Sequence, residues 1–408
     1  MNILYIAISC SPYEGSEAKI GWNIPKESAE KNRVFVITME KNKADIEGYL
    51  SREPLGNIRF YYVDIPDICK KIYRGAFFSG QLIVWSKRAL KTAQKVCREE
   101  KIDLIHQITP VEFRSIGDYG KIPGVKFVCG PIAGGQRIPD GLKEYVRAHR
   151  MVEGIRSCIN SWCRFLFRVN GKLKKCDRLL FANYETKAFL RGMVSPEQSG
   201  GILTDVSVDD RDLVRLEEAR SRDESACRFL VVGRMVYLKG HALLLDALAR
   251  LPKELGFACR IVGDGPEMEP LKKACVEKGL AHHVTFAGAV PYAQVAGEYE
   301  NADVLVMPSF REATGSVLLE AMAKGLPVVT IDQFGGAAIV DEDCGWLYEG
   351  QDQESYIENL KNALLECIQR PDEVCRRGRN ARIRAEQYTW KQRMKYYQEI
   401  YEEVLGAE

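Results

Sequence analysis

The 408-residue chain predicts an α/β protein of two domains, each built on a parallel β-sheet with helices on both faces. Three observations predict it. Short β-branched runs alternate with longer helical patterns, and the alternation recurs in both halves of the chain. The length suits two or three domains at roughly 150 residues apiece. The charge also divides in the middle: residues 1–205 carry 33 basic and 22 acidic side chains, whereas residues 206–408 carry 25 and 34. At 46% apolar and 28% charged residues the composition is ordinary for a globular protein, which excludes disorder and coiled coil. A formal net charge of +2 argues against nucleic acid as a partner.

The elements follow in order. Ile3–Ile8 is a continuous apolar run and reads as a buried first strand; MNILYIAISC has no basic leader and no cleavage pattern. Val34–Thr38, Ile58–Val63, Leu104–His106, Val125–Cys129 and Leu179–Phe181 are the further strand runs of the first half. Thr204–Ser225 is polar and acidic, and reads as the linker. The second half repeats the pattern with Phe229–Val232, Ala258–Val262, Val284–Phe286, Val304–Met307 and Pro327–Ile331. Helical segments lie between most of these runs. One is His241–Leu251, with Leu243, Leu244, Ala247 and Leu248 on one face. Tyr388–Leu405 reads as a last helix anchored by Trp390, Tyr396, Tyr397 and Tyr401.

Thirteen cysteines include no C-x-x-C pair, and their neighbours are mostly apolar. They read as reduced thiols used as small hydrophobes, which places the chain in a reducing, cytoplasmic compartment. The longest apolar stretch, Phe77–Trp85, is broken by Ser79, Gly80 and Gln81 and falls far short of the roughly 20 residues of a spanning helix.

In open α/β sheets, ligands sit beyond the carboxyl ends of the strands, so the loops there are searched first. After the first strand comes Ser9-Cys10-Ser11-Pro12-Tyr13-Glu14-Gly15, which is no dinucleotide fingerprint. Gly263-Asp264-Gly265 follows a strand but has Met268 at the third glycine position, so a tight strand-to-helix turn explains it equally well. Gly233-Arg234 and Lys239-Gly240 put two cations after one strand, suited to a diphosphate or simply solvated. Glu312 lies in a later loop, Thr314, Gly315 and Ser316 open a helix with free N–H groups, and Glu320 falls inside it among apolar residues. Two carboxylates at one helix entrance suit adjacent diols; a capping acid with a buried ion pair is the plain alternative.

The runs GRMVYLKG, IVGDGPE and PSFREATGSVLLEAMAKGLPVV, with Gly335-Gly336 after them, resemble the retaining glycosyltransferase family 4. The resemblance extends over nearly the whole chain. EGSEAKIGWN, HQITPVEFR and VCGPIAGGQRIP look like cleft loops of an exopolysaccharide and capsule subgroup. It implies the GT-B fold, with two Rossmann-like domains facing a central cleft. The domains would be 1–205 for the acceptor and 206–388 for the nucleotide-sugar, with a helix at 389–408 crossing back to the first. Arg234 and Lys239 would hold the donor diphosphate, Glu312 the sugar hydroxyls, and Glu320 the ribose. The Gly263–Pro266 turn, with Gly263 and Gly265, and the segment around Val290 would frame the base, Gly233 would join the donor site, the Thr314–Ser316 backbone would support the sugar and phosphate, and Gly15 and Ser16 would approach the phosphate from the other domain. A histidine that many members carry is replaced by Gly130-Pro131, and His106, Glu17 and Glu112 are weaker acceptor-side candidates.

The implied reaction moves a hexose from a UDP- or GDP-sugar to a hydroxyl of a glycan or lipid-linked glycan, with retention, without a metal or other cofactor. It belongs to the synthesis of cell-surface polysaccharide or lipopolysaccharide. No clustered Asp-x-Asp is present to bind a divalent cation. A sugar-nucleotide epimerase, a phosphorylase and a non-catalytic sugar-binding relative are the alternatives. Residues 66–101 and 141–178 are basic and interleaved with aromatic and aliphatic residues, which suits peripheral binding to an anionic membrane at about 1 kcal/mol per nearby cation. A solvated helix face over an ordinary core stripe is the competing reading.

Overall fold

The structure is a computed structural model describing residues 1–15, 17–72, 79–214 and 226–406. Ser16, Phe77, Phe78, the linker beyond residue 214 and the last two residues of the chain lie outside the described residues. The chain divides into two compact units. One comprises Met1–Gly135, Cys158–Asp205 and Trp390–Glu408, the other Gln136–Ser157 and Val206–Thr389.

The first unit holds β1 (Asn2–Ala7), β2 (Arg33–Met39), β3 (Ile58–Val63), β4 (Leu104–Thr109), β5 (Lys126–Ile132), β6 (Arg178–Phe181) and β7 (Ser199–Ile202). Their order is β3-β2-β1-β4-β5-β6-β7, with every neighbouring pair parallel. The second holds β8 (Cys227–Val232), β9 (Phe257–Val262), β10 (Val284–Gly288), β11 (Val304–Met307), β12 (Val328–Ile331) and β13 (Gly345–Tyr348), ordered β10-β9-β8-β11-β12-β13. Both are doubly wound Rossmann-like sheets, and each reverses its strand order once, at β1/β4 and at β8/β11.

Why these residues form these strands is plain from burial. Residues 3–7 of β1 and all of β4 are buried, as strands covered on both faces must be. β7 (Ser-Gly-Gly-Ile) and β13 (Gly-Trp-Leu-Tyr) have no counterpart among the runs read from sequence. Each is a four-residue edge strand whose glycines break the apolar signal.

Residues 136–157 correct the expected boundary, because they pack in the second unit rather than the first. Ile138, Leu142 and Val146 join that unit's core, which charge counting does not register. The basic stretch 66–101 also resolves toward ordinary packing. Its helix Ser79–Glu99 buries Trp85, Ala89, Ala93 and Val96, and Trp85 Nε1 donates to the Val63 carbonyl at 3.1 Å.

The last helix, Trp390–Gly406, packs within the first unit through Trp390, Tyr397 and Tyr401; Tyr396, expected as an anchor, is exposed. It closes over His106, which the structure removes from the acceptor candidates. His106 is fully buried, with Nδ1 at 2.6 Å from the Tyr401 hydroxyl and Nε2 at 2.7 Å from the Gly130 carbonyl. The carbonyl can only accept, so Nε2 carries the proton and Nδ1 accepts from Tyr401. Both ring nitrogens are used inside the core.

Burial pulls the His106 pKa down to about 3, against the opposing pull of the Gly130 hydrogen bond. The unfolded chain takes up this proton near pH 6.5 and the folded chain does not, so stability falls as pH drops from 6.5 toward 3. Between pH 7 and pH 5 the protein should lose about 2 kcal/mol more than His106→Gln, read from urea unfolding at each pH. Parallel pH dependence in the two proteins would contradict the burial of a neutral imidazole.

Candidate active site

In the second unit the loops beyond β8 and β11 meet at the point where strand order reverses. β8 and β11 are parallel neighbours, Phe229 opposite Val304 and Leu230 opposite Leu305. After β8 the backbone passes through Gly233 and exposed Arg234, then makes a 3-10 turn at Tyr237–Lys239. Gly240 follows at φ 69°, a left-handed conformation, and starts the helix His241–Leu248. A Cβ on Gly240 would lie 1.9 Å from the Pro308 carbonyl oxygen. Only glycine therefore lets the β8 loop lie against the β11 loop, and the Phe310 amide donates across to the Leu238 carbonyl at 2.8 Å.

This closeness brings Lys239 and Glu312, two of the predicted residues, together. Lys239 Nζ donates to Glu312 Oε2, both side chains about one-fifth exposed. Thr314 is fully buried, Gly315 caps the helix Ser316–Ala323, and Ser316 begins it. Glu320 lies one turn inside that helix, where its Oε2 accepts from the Tyr299 hydroxyl at 2.8 Å. Val290 is half-buried just after β10.

Gly263 and Gly265, expected to frame the nucleotide, form the turn directly after β9. A Cβ on Gly263 would sit 1.9 Å from the Gly233 carbonyl oxygen, and Met235 N–H donates to the Asp264 carbonyl at 2.9 Å. The G-x-G turn thus packs directly on the Gly233–Met235 backbone and holds the Arg234 loop in place.

Sequence reading missed the contribution of residues 136–157. Gln136 Nε2 donates to the Glu312 carbonyl at 3.0 Å. Arg311 donates to Glu153 Oε2, and the Tyr237 hydroxyl donates to Glu153 Oε1 at 2.7 Å. Burial raises the Glu153 pKa, but these two hydrogen bonds outweigh it and hold the carboxyl below its ordinary range. His149 stacks on Tyr237, with ring centroids 3.8 Å apart. One acid therefore ties the β8 loop and the β11 loop to a single excursion of chain. Partners 84 and 158 positions apart leave no local signal. His241 was also missed: it is buried, its Nε2 has no hydrogen-bond partner among the described residues, and burial first, then Lys239, pulls its pKa down to about 4.

The first unit has the matching switch point at β1/β4. Glu17 opens the helix Glu17–Ser28, and its Oε1 accepts from the Val111 amide at 3.0 Å. Burial raises its pKa, opposed by that hydrogen bond and reinforced by Asp205 and Glu112. Glu112 pairs with Arg114 at 2.5 Å. Gly15 is half-buried, one residue short of the undescribed Ser16. Among the described residues no cluster of three or more His, Cys, Asp or Glu is placed to hold a metal ion.

Two doubly wound parallel sheets, the second with paired loops at its switch point, define the GT-B class of fold. Comparison with known proteins agrees. Residues 216–382 match the family model described as glycosyl transferases group 1. The chain is 30% identical over 236 residues to a D-inositol 3-phosphate glycosyltransferase of Gordonia bronchialis, a match that takes in 53% of this chain and 50% of that protein. The chain spans about half the length, or less, of the curated relatives it matches. A sucrose-phosphate synthase from Thermosynechococcus elongatus is similar in structure, with a TM-score of 0.67, 19% identity and full coverage of both chains. The Anabaena protein Alr3699/HepE in complex with UDP-glucose is similar at a TM-score of 0.62 and 16% identity, over 98% of this chain and 99% of that one. These structures carry the fold; the family model and the relatives point to a GT-B glycosyltransferase.

Proposed function

We propose that the chain is a retaining glycosyltransferase that moves a hexose from a UDP- or GDP-sugar to a hydroxyl of a glycan or lipid-linked glycan in cell-surface polysaccharide synthesis. The observation that carries the reading is the meeting of Lys239 with Glu312 at the β8/β11 switch point, with Glu320 one turn inside the helix that follows the β11 loop. A cation and two carboxylates there match a diphosphate flanked by two diols. That the similar Anabaena structure is a complex with UDP-glucose supports a nucleotide-sugar as the donor.

In this reading the bond between the anomeric carbon and the diphosphate oxygen breaks, and its electron pair leaves with the diphosphate. Arg234 and Lys239 stabilise that developing charge, which is where fixed cations contribute most. Glu312 turns from Lys239 toward sugar hydroxyls, the Thr314–Ser316 backbone donates to the sugar and phosphate, and Glu320 holds the ribose. The acceptor oxygen bonds to the anomeric carbon and loses its proton; Glu17 and Glu112 are the acceptor-side candidates of the first unit. The two cations supply the charge neutralisation, so the reaction proceeds without a metal. The thirteen free cysteines suit a reducing, cytoplasmic compartment.

The test is transfer from a panel of UDP- and GDP-sugars to glycan and lipid-linked acceptors, in EDTA, with the anomeric configuration of the product read by NMR. Retention with activity surviving EDTA is expected; inversion, or transfer abolished by EDTA, would refute that part. Glu320→Ala should weaken nucleotide binding about tenfold or more in titration calorimetry, the scale of a hydrogen bond to a charged group. Tyr299→Phe, which removes only the hydroxyl that orients Glu320, should cost less. Equal affinities in all three proteins would remove Glu320 from the ribose.

A further inference from the structure

Four charged side chains meet beside the β8 and β11 loops, and they are sorted into two pairs. Lys239 holds Glu312, and Arg311 holds Glu153. All four are mostly buried, between 13% and 24% exposed. Another sorting is open to them, because Arg311 and Glu312 are neighbours in the chain. An arginine grips a carboxylate with two parallel bonds, whereas a lysine offers a single point charge. Left without Glu153, the Arg311 guanidinium would take Glu312 and leave Lys239 alone.

Glu153 prevents this with both of its oxygens. Oε2 accepts from Arg311, and Oε1 accepts from the Tyr237 hydroxyl at 2.7 Å. Burial first, and then the bond to Glu153, pushes the Tyr237 pKa up to about 12, so the hydroxyl keeps its proton and goes on donating. His149, stacked on the Tyr237 ring, steadies that donor. Arg156, a further cation near Glu153, donates to the Gln136 carbonyl at 3.0 Å. Every one of these residues belongs to the second unit. We propose that Glu153 is a positioning residue of the donor site: it keeps Arg311 off Glu312, so that Glu312 is free to pass from Lys239 to the sugar hydroxyls. Its functional consequence rests on the transferase reading; the sorting of charge does not.

The ligand-free chain tests the sorting. Trace acetylation with acetic anhydride is read lysine by lysine by mass spectrometry. Lys239 should react slowly in the wild-type chain and several times faster in Glu153→Gln, where Arg311 claims Glu312. Glu153→Gln with Arg311→Gln should restore the slow reaction, because the competing cation is gone. Tyr237→Phe, which leaves the Glu153 charge in place, should shift Lys239 in the same direction by less, and serves if Glu153→Gln folds poorly. Catalysis then separates positioning from a general loosening. Removing a negative charge beside an anion site should leave UDP or GDP binding no weaker in Glu153→Gln. The kcat for transfer should nevertheless fall roughly tenfold, and recover in the double variant. Unaltered Lys239 labelling in Glu153→Gln, equal labelling in the single and double variants, an unchanged kcat, or nucleotide affinity and kcat lost together would overturn the proposal. A wild-type chain that binds no nucleotide would refute the transferase reading instead, and the labelling would still decide the sorting.

Discussion

Lys239→Ala should lower transfer by roughly 10²–10³-fold, the scale of removing one fixed charge-stabilising group from a transition state. The loss should fall on kcat more than on KM, because charge on the diphosphate grows as the sugar departs. Stability should scarcely change. The Lys239–Glu312 pair is partly exposed, and such pairs contribute about 0–1 kcal/mol. The contrast between a large kinetic effect and an unchanged melting temperature separates a donor-binding cation from a structural ion pair. Lys239→Arg should recover only part of the rate, since a planar fork does not occupy the place of a compact ammonium. Wild-type turnover in Lys239→Ala would take the residue out of the reaction.

The second large effect is on the scaffold. Gly240→Ala should destabilise the protein by about 3–5 kcal/mol, read from urea unfolding. An alanine would have to adopt φ 69° and would place its Cβ 1.9 Å from the Pro308 oxygen, a backbone atom that cannot swing aside. Relief requires the β8 and β11 loops to separate, and these loops carry Lys239 and Glu312. Nucleotide affinity should therefore fall with stability, unlike in Lys239→Ala, where the fold stays intact. An unchanged unfolding midpoint would mean that the two loops are not held by close contact at this glycine.

Much of this arrangement is legible in the residues themselves. Runs such as Ile3–Ile8 and Val304–Met307 are apolar throughout because both faces of a doubly wound sheet are covered. Once strands are placed, the chemistry-bearing loops follow from topology: Lys239 and Glu312 are 73 positions apart, yet both lie after strands that flank the switch point. The residues that brace those loops were not legible. Glu153 and Gln136 sit in a stretch whose local signal, basic and amphipathic, concerns its own helix and says nothing of Arg311 or Glu312. His106 shows the opposite failure. A histidine at a strand end looks chemically available until Tyr401, 295 positions later, is folded over it. Short edge strands such as Ser199–Ile202 carry too few apolar residues to stand out.

The central claim is that the second unit grips a nucleoside diphosphate-sugar at the β8/β11 switch point. Titration calorimetry with UDP, GDP and a panel of their sugars tests it most directly, on the wild-type chain and on Lys239→Ala and Glu320→Ala. At least one nucleotide should bind the wild-type chain, and each substitution should weaken that binding by about tenfold or more. A chain that binds none of them, or binds one equally well after both substitutions, would contradict the account.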